Sequence, residues 1–372
     1  MQFIDLGAQR ARIKDKINTA IAHVIESGKY ILGPEVEEFE KRLADYVGVK
    51  HVIGCANGTD ALLMPLMAEN IGPGDAVFCP SFTFAATAEV VALTGAEPVF
   101  VDILPDSYNM DPQKLEEAVA MIKREGRLTP RAIIPVDLFG LPADYTKITA
   151  VAAKENLFVI EDAAQAIGGK HANTMCGAFG NVGATSFYPA KPLGCYGDGG
   201  AMFTDNDDLA ERLRSINFHG KGKSQYDNVR IGLNSRLDTI QAAILLHKLD
   251  ILEDEMEKRA HIGKCYTEGL KDVVKTPKLA RGVRSAYAQY TIEVEDRDGL
   301  QAYLKKAGIP TMIYYIKPLH LQTAYRHFPQ AKGGLPVSEY AADHVLSLPM
   351  YPYLPEGDQN RIISTIRDFC GA

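Results

Sequence analysis

At 372 residues the chain is long enough to bury a large core and to divide into two domains. Its 46% hydrophobic and 23% charged content is that of an ordinary globular protein, and a formal charge of -7 argues against a general nucleic-acid binder. An anionic small substrate stays possible where local cations can hold it.

Six cysteines (Cys55, Cys79, Cys176, Cys195, Cys265, Cys370) lack any CxxC spacing, which argues against a zinc site or a disulfide framework and for a reducing cytoplasm. Asp5, Arg10, Arg12 and Lys14 stand where a signal peptide needs an apolar run, and the apolar stretch Phe84 to Leu104 is broken by Glu89, Glu97, Pro98 and Asp102. The expectation is a cytoplasmic protein without membrane contact.

In chain order, Ala11 to Ser27 carries a helical stripe of Ile13, Ile17, Ile21 and Val24, closed by Gly28. A second helix opens at Pro34, with Val36, Phe39, Leu43 and Tyr46 facing inward. From His51 short apolar runs alternate with helical patterns. The runs are Val52–Cys55, Ala76–Pro80, Pro98–Val101, Ala132–Val136, Phe158–Ile160, Ala184–Phe187 and Gly200–Thr204. Such alternation predicts an α/β fold with a mostly parallel seven-stranded sheet between helices, and a site in the crevice at the strands' C-terminal ends. Arg236 to Tyr266 reads as one long amphipathic helix. After Thr276 come a strand in AYAQYTIEVE, a helix in DRDGLQAYLKKAG and a further strand in IPTMIYYIKPLH, so that a large domain over 1–250 and a small α/β domain over 251–372 are expected.

The chemistry gathers at strand exits. Lys191 lies in SFYPAKPLGCYGDGGA, on irregular backbone between Pro189 and Pro192, and the strand Phe158–Ile160 runs directly into Glu161, Asp162 and then Gln165. Lysine amines condense with carbonyls, and the carbonyl cofactor that needs both a lysine and an acid for its ring nitrogen is pyridoxal phosphate. After the first strand, Asn57-Gly58-Thr59-Asp60 opens a helix, either as a phosphate site built on free amides or as a plain N-cap. Phe82 or Phe84 in SFTFAAT can stack on a flat ring, and Ser186 offers a second phosphate ligand. The segment FHGKGKSQYDNVRIGLNSR supplies His219, Lys221, Lys223, Arg230, Asn234 and Arg236, a basic loop suited to an anionic substrate or merely solvated. Two nucleotide motifs fail: GAFGNVGA lacks GxGxxG spacing, and HGKGKS has Asn217 where a phosphate loop opens with glycine.

Taken together, NGTDAL, SFTFAAT, EDAAQ, SFYPAK with GDGGA, and GLNSRLDTIQAAI resemble the fold-type-I pyridoxal-phosphate aminotransferases that act on nucleotide-linked keto-sugars, over nearly the whole chain. The resemblance implies Lys191 as the residue that carries the cofactor, Asp162 on its ring nitrogen and Gln165 on its ring hydroxyl. It further implies Gly58, Thr59 and Ser186 on the phosphate, Phe84 on the ring face, and Asn234 reaching the cofactor of a second protomer in a homodimer. Asn57 and Pro192 depart from the serine and asparagine common in the family, and neither removes a catalytic group. Relatives with histidine in place of the lysine are sugar dehydrases, so Lys191 implies transamination. GLNSRLD, YYIKPLH and FIDLGAQ are most similar to enzymes that aminate UDP-2-acetamido-2-deoxy-3-oxo-D-glucuronic acid with L-glutamate, for surface polysaccharide such as lipopolysaccharide. Arg236 is then expected on the sugar carboxylate, with His320, Tyr314 and Tyr315 as sugar or diphosphate contacts. The alternatives are a 4-keto or dTDP-linked 3-keto sugar as acceptor, or a non-catalytic cofactor-binding regulator.

Overall fold

A computed structural model describes residues 1–224 and 226–371. Its centre is a sheet of seven strands: β1 (His51–Cys55), β2 (Asp75–Pro80), β3 (Glu97–Val101), β4 (Thr129–Ile133), β5 (Phe158–Asp162), β6 (Val182–Ser186) and β7 (Gly200–Thr204). They lie in the order β1-β7-β6-β5-β4-β2-β3, and only β7 runs antiparallel to its neighbours. Each is short, and all but β4, whose first three residues are partly exposed, are almost wholly buried, as a sheet covered on both faces requires.

Register decides which strand ends meet. Gly200 pairs with Ser186 on one side and Cys55 on the other, so the exits of β1 and β6 share a row. Asp162 pairs with Ala184, two residues before Ser186, or about 7 Å deeper along the sheet at the usual strand rise. The chain after β1 is therefore delivered beside Ser186, with Asp162 further in.

Helices form where the pattern calls for them. Pro34–Val47 starts on proline and stops at Gly48, whose φ of 82° is left-handed. Thr239–Leu270 is the longest helix, at 32 residues. Its first half, Ala242 to Met256, joins a core with Phe39, Leu43 and Phe187. Its second half, Ile262 to Leu270, joins another built on Tyr290, Leu304, Leu346 and Ile362. Position 250 thus falls inside a continuous helix. Beyond it, Tyr290–Glu293 pairs antiparallel with Val345–Leu348, flanked by helices Arg297–Lys306 and Glu356–Cys370.

The strand expected through IPTMIYYIKPLH does not form. Met312 makes a single bridge to Ser347, after which the chain turns through Tyr314 and Tyr315 to a short 3-10 turn at Leu319–Leu321. The two tyrosines turn their rings toward Phe82, Gln165 and Phe3, contacts an extended ladder would not allow. The fourth strand begins and ends earlier than its apolar run, and its pairing with β2 shifts register between Ala76 and Val77. Val136 still forms a parallel bridge to Asp162. No described helix is long and apolar enough to cross a membrane.

Candidate active site

Asp162 ends β5 at 5% exposure. Its Oδ2 accepts the Thr87 hydroxyl at 3.0 Å and its Oδ1 accepts the Ala164 N–H at 3.2 Å. Burial raises the carboxyl above its ordinary range, opposed by the Ala164 amide, the Thr87 hydroxyl and the charge of Lys191. Lys191 answers from the loop after β6, where its N–H donates to Tyr188 O at 2.9 Å. Burial lowers its amine, and the negative charge of Asp162 partly offsets that. The carboxylate and the amine therefore feel each other in one dry crevice, each biased toward its neutral form.

Two rows further out, the helix Gly58–Ala68 begins. Asn57 Oδ1 accepts the Asp60 N–H at 2.8 Å, so Asn57 is an N-cap. The N–H groups of Gly58 and Thr59 have no acceptor among the described residues. Glycine is required at 58, since a Cβ there would stand 2.6 Å from Ser186 Cβ. Helix start and Ser186 hydroxyl thus press together, presenting free amides, two hydroxyls and the positive end of a helix dipole.

Of the two phenylalanines after β2, Phe82 is fully buried against Tyr108 and Tyr315, whereas Phe84 stands 60% exposed. Phe84 O accepts the N–H of Thr87, the residue that bonds Asp162. The Gln165 amide is oriented without ambiguity: its Oε1 accepts the Phe139 N–H at 2.7 Å, which leaves Nε2 to donate, 3.3 Å from Tyr315 OH. Burial raises the Tyr315 phenol, so it is a neutral hydroxyl. Tyr314 stacks edge-on with Tyr315 at 5.8 Å and lies within the field of Tyr188, beside the Lys191 loop.

The other expected residues lie elsewhere. His320 is buried between Ser81 Oγ, 2.6 Å from Nδ1, and Glu339, 3.2 Å from Nε2, so both ring nitrogens are engaged. Asn234 and Arg236 bond each other, and the Arg236 guanidinium covers the Phe218 ring at 4.7 Å. They sit at the root of an arm carrying Val229 and Ile231, the latter 85% exposed. Among the described residues neither contacts Lys191 or Asp162. Thr87 is the functional residue that sequence reasoning passed over. It stands in the quoted SFTFAAT run, but its hydrogen bond to Asp162 spans 75 positions, and only the fold brings the two together.

A model of the DegT/DnrJ/EryC1/StrS aminotransferase family matches residues 11–367. The chain belongs to that family. Among its relatives, the UDP-2-acetamido-2-deoxy-3-oxo-D-glucuronate aminotransferase of Pseudomonas aeruginosa is 51% identical over 357 residues, covering 95% of this chain and 96% of its own. A crystal structure of a DegT DnrJ EryC1 StrS aminotransferase from Brucella abortus is 70% identical with a TM-score of 0.99, each chain being covered in full (100%). NtdA from Bacillus subtilis, solved with bound cofactor PMP, is 30% identical with a TM-score of 0.89, over 100% of this chain and 83% of NtdA.

As a DegT/DnrJ/EryC1/StrS aminotransferase, this fold-type-I enzyme uses pyridoxal phosphate. The crevice fits that group on its own terms. A buried carboxylate lacks a cation other than Lys191, two unpaired amides lie with the Thr59 and Ser186 hydroxyls about 7 Å further out, and an exposed aromatic ring stands at the rim.

Proposed function

We propose that this aminotransferase moves the amino group of L-glutamate to a UDP-linked keto-sugar, UDP-2-acetamido-2-deoxy-3-oxo-D-glucuronic acid, giving a 3-amino sugar for surface polysaccharide such as lipopolysaccharide. The observation that carries the proposal is the 51% identity, over nearly full length, to the Pseudomonas aeruginosa enzyme of that name.

When bound, pyridoxal phosphate supplies an electron sink for the charge that develops at the amino carbon. The protein's residues have separable tasks. Lys191 would hold the cofactor and would serve as the base that takes the proton from the donor's α-carbon and returns it, for which its lowered basicity is suited. Asp162, held by Thr87 and Ala164, would keep a proton on the ring nitrogen. Gln165, whose Nε2 is left to donate, would bond the ring hydroxyl; Gly58, Thr59 and Ser186 would hold the phosphate, and the exposed Phe84 would cover one ring face. Glutamate and keto-sugar use one site in turn, so ping-pong kinetics follow.

The enzyme works as a cytoplasmic homodimer in this proposal. The arm bearing Asn234 and Arg236 reaches the partner's site, Asn234 toward the phosphate and Arg236 toward the sugar carboxylate, which a guanidinium can grip with two parallel hydrogen bonds. The exposed Val229 and Ile231 on the arm support that role. Tyr314 and Tyr315 face the sugar, and His320 acts from behind by fixing Ser81. Residues 1–250 and 251–372 make up the large and small domains, joined through the long helix.

The deciding experiment supplies candidate UDP-keto-sugars with glutamate and identifies the product by mass. An amine on the 3-oxo glucuronic acid, absent with Lys191→Ala, is expected. An aminated 4-keto or dTDP-linked sugar in its place would overturn the substrate, and no consumption of glutamate with any acceptor would overturn the reaction.

A further inference from the structure

Directly behind Asp162, on the opposite face of β5, two carboxyl groups and a thiol share a closed space. Asp137, Glu161 and Cys176 are each fully buried, with one polar atom of each within 4.8 Å of the others. Three of the four carboxyl oxygens are committed as acceptors. Glu161 Oε1 takes the Gly177 N–H at 2.6 Å and Oε2 takes the Phe179 N–H at 2.7 Å. Asp137 Oδ1 takes both the Ala143 N–H and the Tyr145 hydroxyl, each at 2.9 Å. Asp137 Oδ2 has no donor among the described residues.

An ionised oxygen left bare in a dry interior is costly, and two buried carboxylates this close cannot both be charged. One proton must stay with the pair, and the bonding pattern says where. On Glu161 it would have to share an oxygen that already receives a backbone N–H. On Asp137 Oδ2 it fills the one empty position. We infer that Asp137 is a carboxylic acid at neutral pH, with Oδ2 donating to Glu161, and that this proton-linked pair is a positioning device for Asp162.

Burial raises both carboxyls and the Cys176 thiol, Asp137 to about 6 and Glu161 further, in keeping with one proton retained by the pair; the backbone N–H groups on both Glu161 oxygens are what assign it to Asp137 Oδ2. The other titratable groups facing the pair are the neutral Tyr145 phenol and Arg284, whose charge only tempers the thiol. A metal is disfavoured, because a bound ion needs three or four donors and only Asp137 Oδ2 and Cys176 Sγ are free of amide or hydroxyl donors.

The positioning role follows from the backbone. Asp137 N–H donates to Asp162 O at 3.0 Å and Asp162 N–H donates to Pro135 O at 2.9 Å, so the segment after β4 is laced to the end of β5. Two residues past Asp137, Phe139 fixes the Gln165 amide. A bond between Asp137 and Glu161 thus ties the loop after β4, which holds both Asp162 O and the Gln165 amide, to the end of β5 that presents Asp162 and Gln165. This part rests on the proposed role of Asp162 toward the cofactor.

The test compares cofactor-loaded wild type with Asp137→Asn, Asp137→Ala and Glu161→Gln. Infrared difference spectra of wild type against Asp137→Asn at neutral pH should show one protonated-carboxyl band that moves in heavy water. Asparagine keeps the Oδ1 acceptor and supplies an N–H to Glu161, so cofactor retention should stay within about twofold of wild type. Asp137→Ala and Glu161→Gln should each lose cofactor about tenfold or more readily, the glutamine because its amide must oppose the Gly177 or Phe179 N–H. The pH titration of the cofactor's visible absorbance should move in those two and be restored in Asp137→Asn. Absence of the band, a tolerated Glu161→Gln with a damaged Asp137→Asn, or a stoichiometric metal in the purified protein would each overturn the inference. Should Glu161→Gln fail to fold, the infrared comparison decides alone. An Asp162→Asn variant that kept full activity with the band intact would instead sink the role given to Asp162.

Discussion

Thr87→Val tests the logic of the crevice most directly. Valine matches threonine in shape, so no cavity opens, and what is lost is the hydroxyl that donates to Asp162 Oδ2 at 3.0 Å in a fully buried setting. A hydrogen bond to a charged group contributes about 1.5–3 kcal/mol, which corresponds to about one to two pH units at the carboxyl. Burial already raises Asp162, and the substitution raises it further. A carboxyl whose pKa is higher folded than unfolded holds its proton more tightly in the native state. Stability of the cofactor-free protein therefore falls as pH climbs from about 3.9 to the raised value. In Thr87→Val that fall continues to higher pH, so the stability gap between variant and wild type should widen by about 1.5–3 kcal/mol toward neutrality. Urea unfolding of cofactor-free protein at steps between about pH 4 and pH 8 measures this gap. A gap that is constant or narrows with rising pH would refute the claim that Thr87 stabilises the ionised form.

Gly58→Ala should weaken cofactor retention about tenfold to a hundredfold in equilibrium dialysis, because its Cβ would intrude to 2.6 Å from Ser186 and overpacking of this kind costs about 1–3 kcal/mol. Lys191, lowered by burial, should be tagged by borohydride reduction of the loaded enzyme ahead of every exposed lysine, as peptide mapping will show. The sign of its effect on stability is opposite to that of Asp162: the unfolded chain holds this proton more tightly, so cofactor-free wild type should gain stability over Lys191→Met as pH rises toward about 10.4. Arg236→Ala should raise KM for a uronic-acid substrate about tenfold or more while changing that for the uncharged sugar little, as steady-state kinetics will test.

Much of this was legible in the sequence for a definite reason. Residues at strand exits announce themselves where an apolar run meets a polar group, which is how Asp162, Ser186 and the Gly58-Thr59 pair came forward and how the seven-stranded sheet was counted. Side chains that act through other side chains leave no local trace. Thr87 and the Asp137–Glu161 pair depend on strand order and register, which periodicity does not encode. The choice between Phe82 and Phe84 was open on spacing alone, and the turn after Pro80 resolved which ring is core and which is exposed. The stretch Ile309 to His320 misled because its alternating residues suit a strand, while the aromatic contacts of Tyr314 and Tyr315 outweigh a ladder that stops at Met312.

One rod of 32 residues supplies walls to two separate interiors. Severing the chain at 250 would leave the N-terminal fragment without Leu252 and Met256, and would give the C-terminal fragment a helix half whose apolar residues no longer have Phe39 or Phe187 to cover them. Each piece is then left with apolar residues that the other covered. Any attempt to graft a different acceptor-binding half onto this enzyme has to exchange the whole rod or cut beyond it.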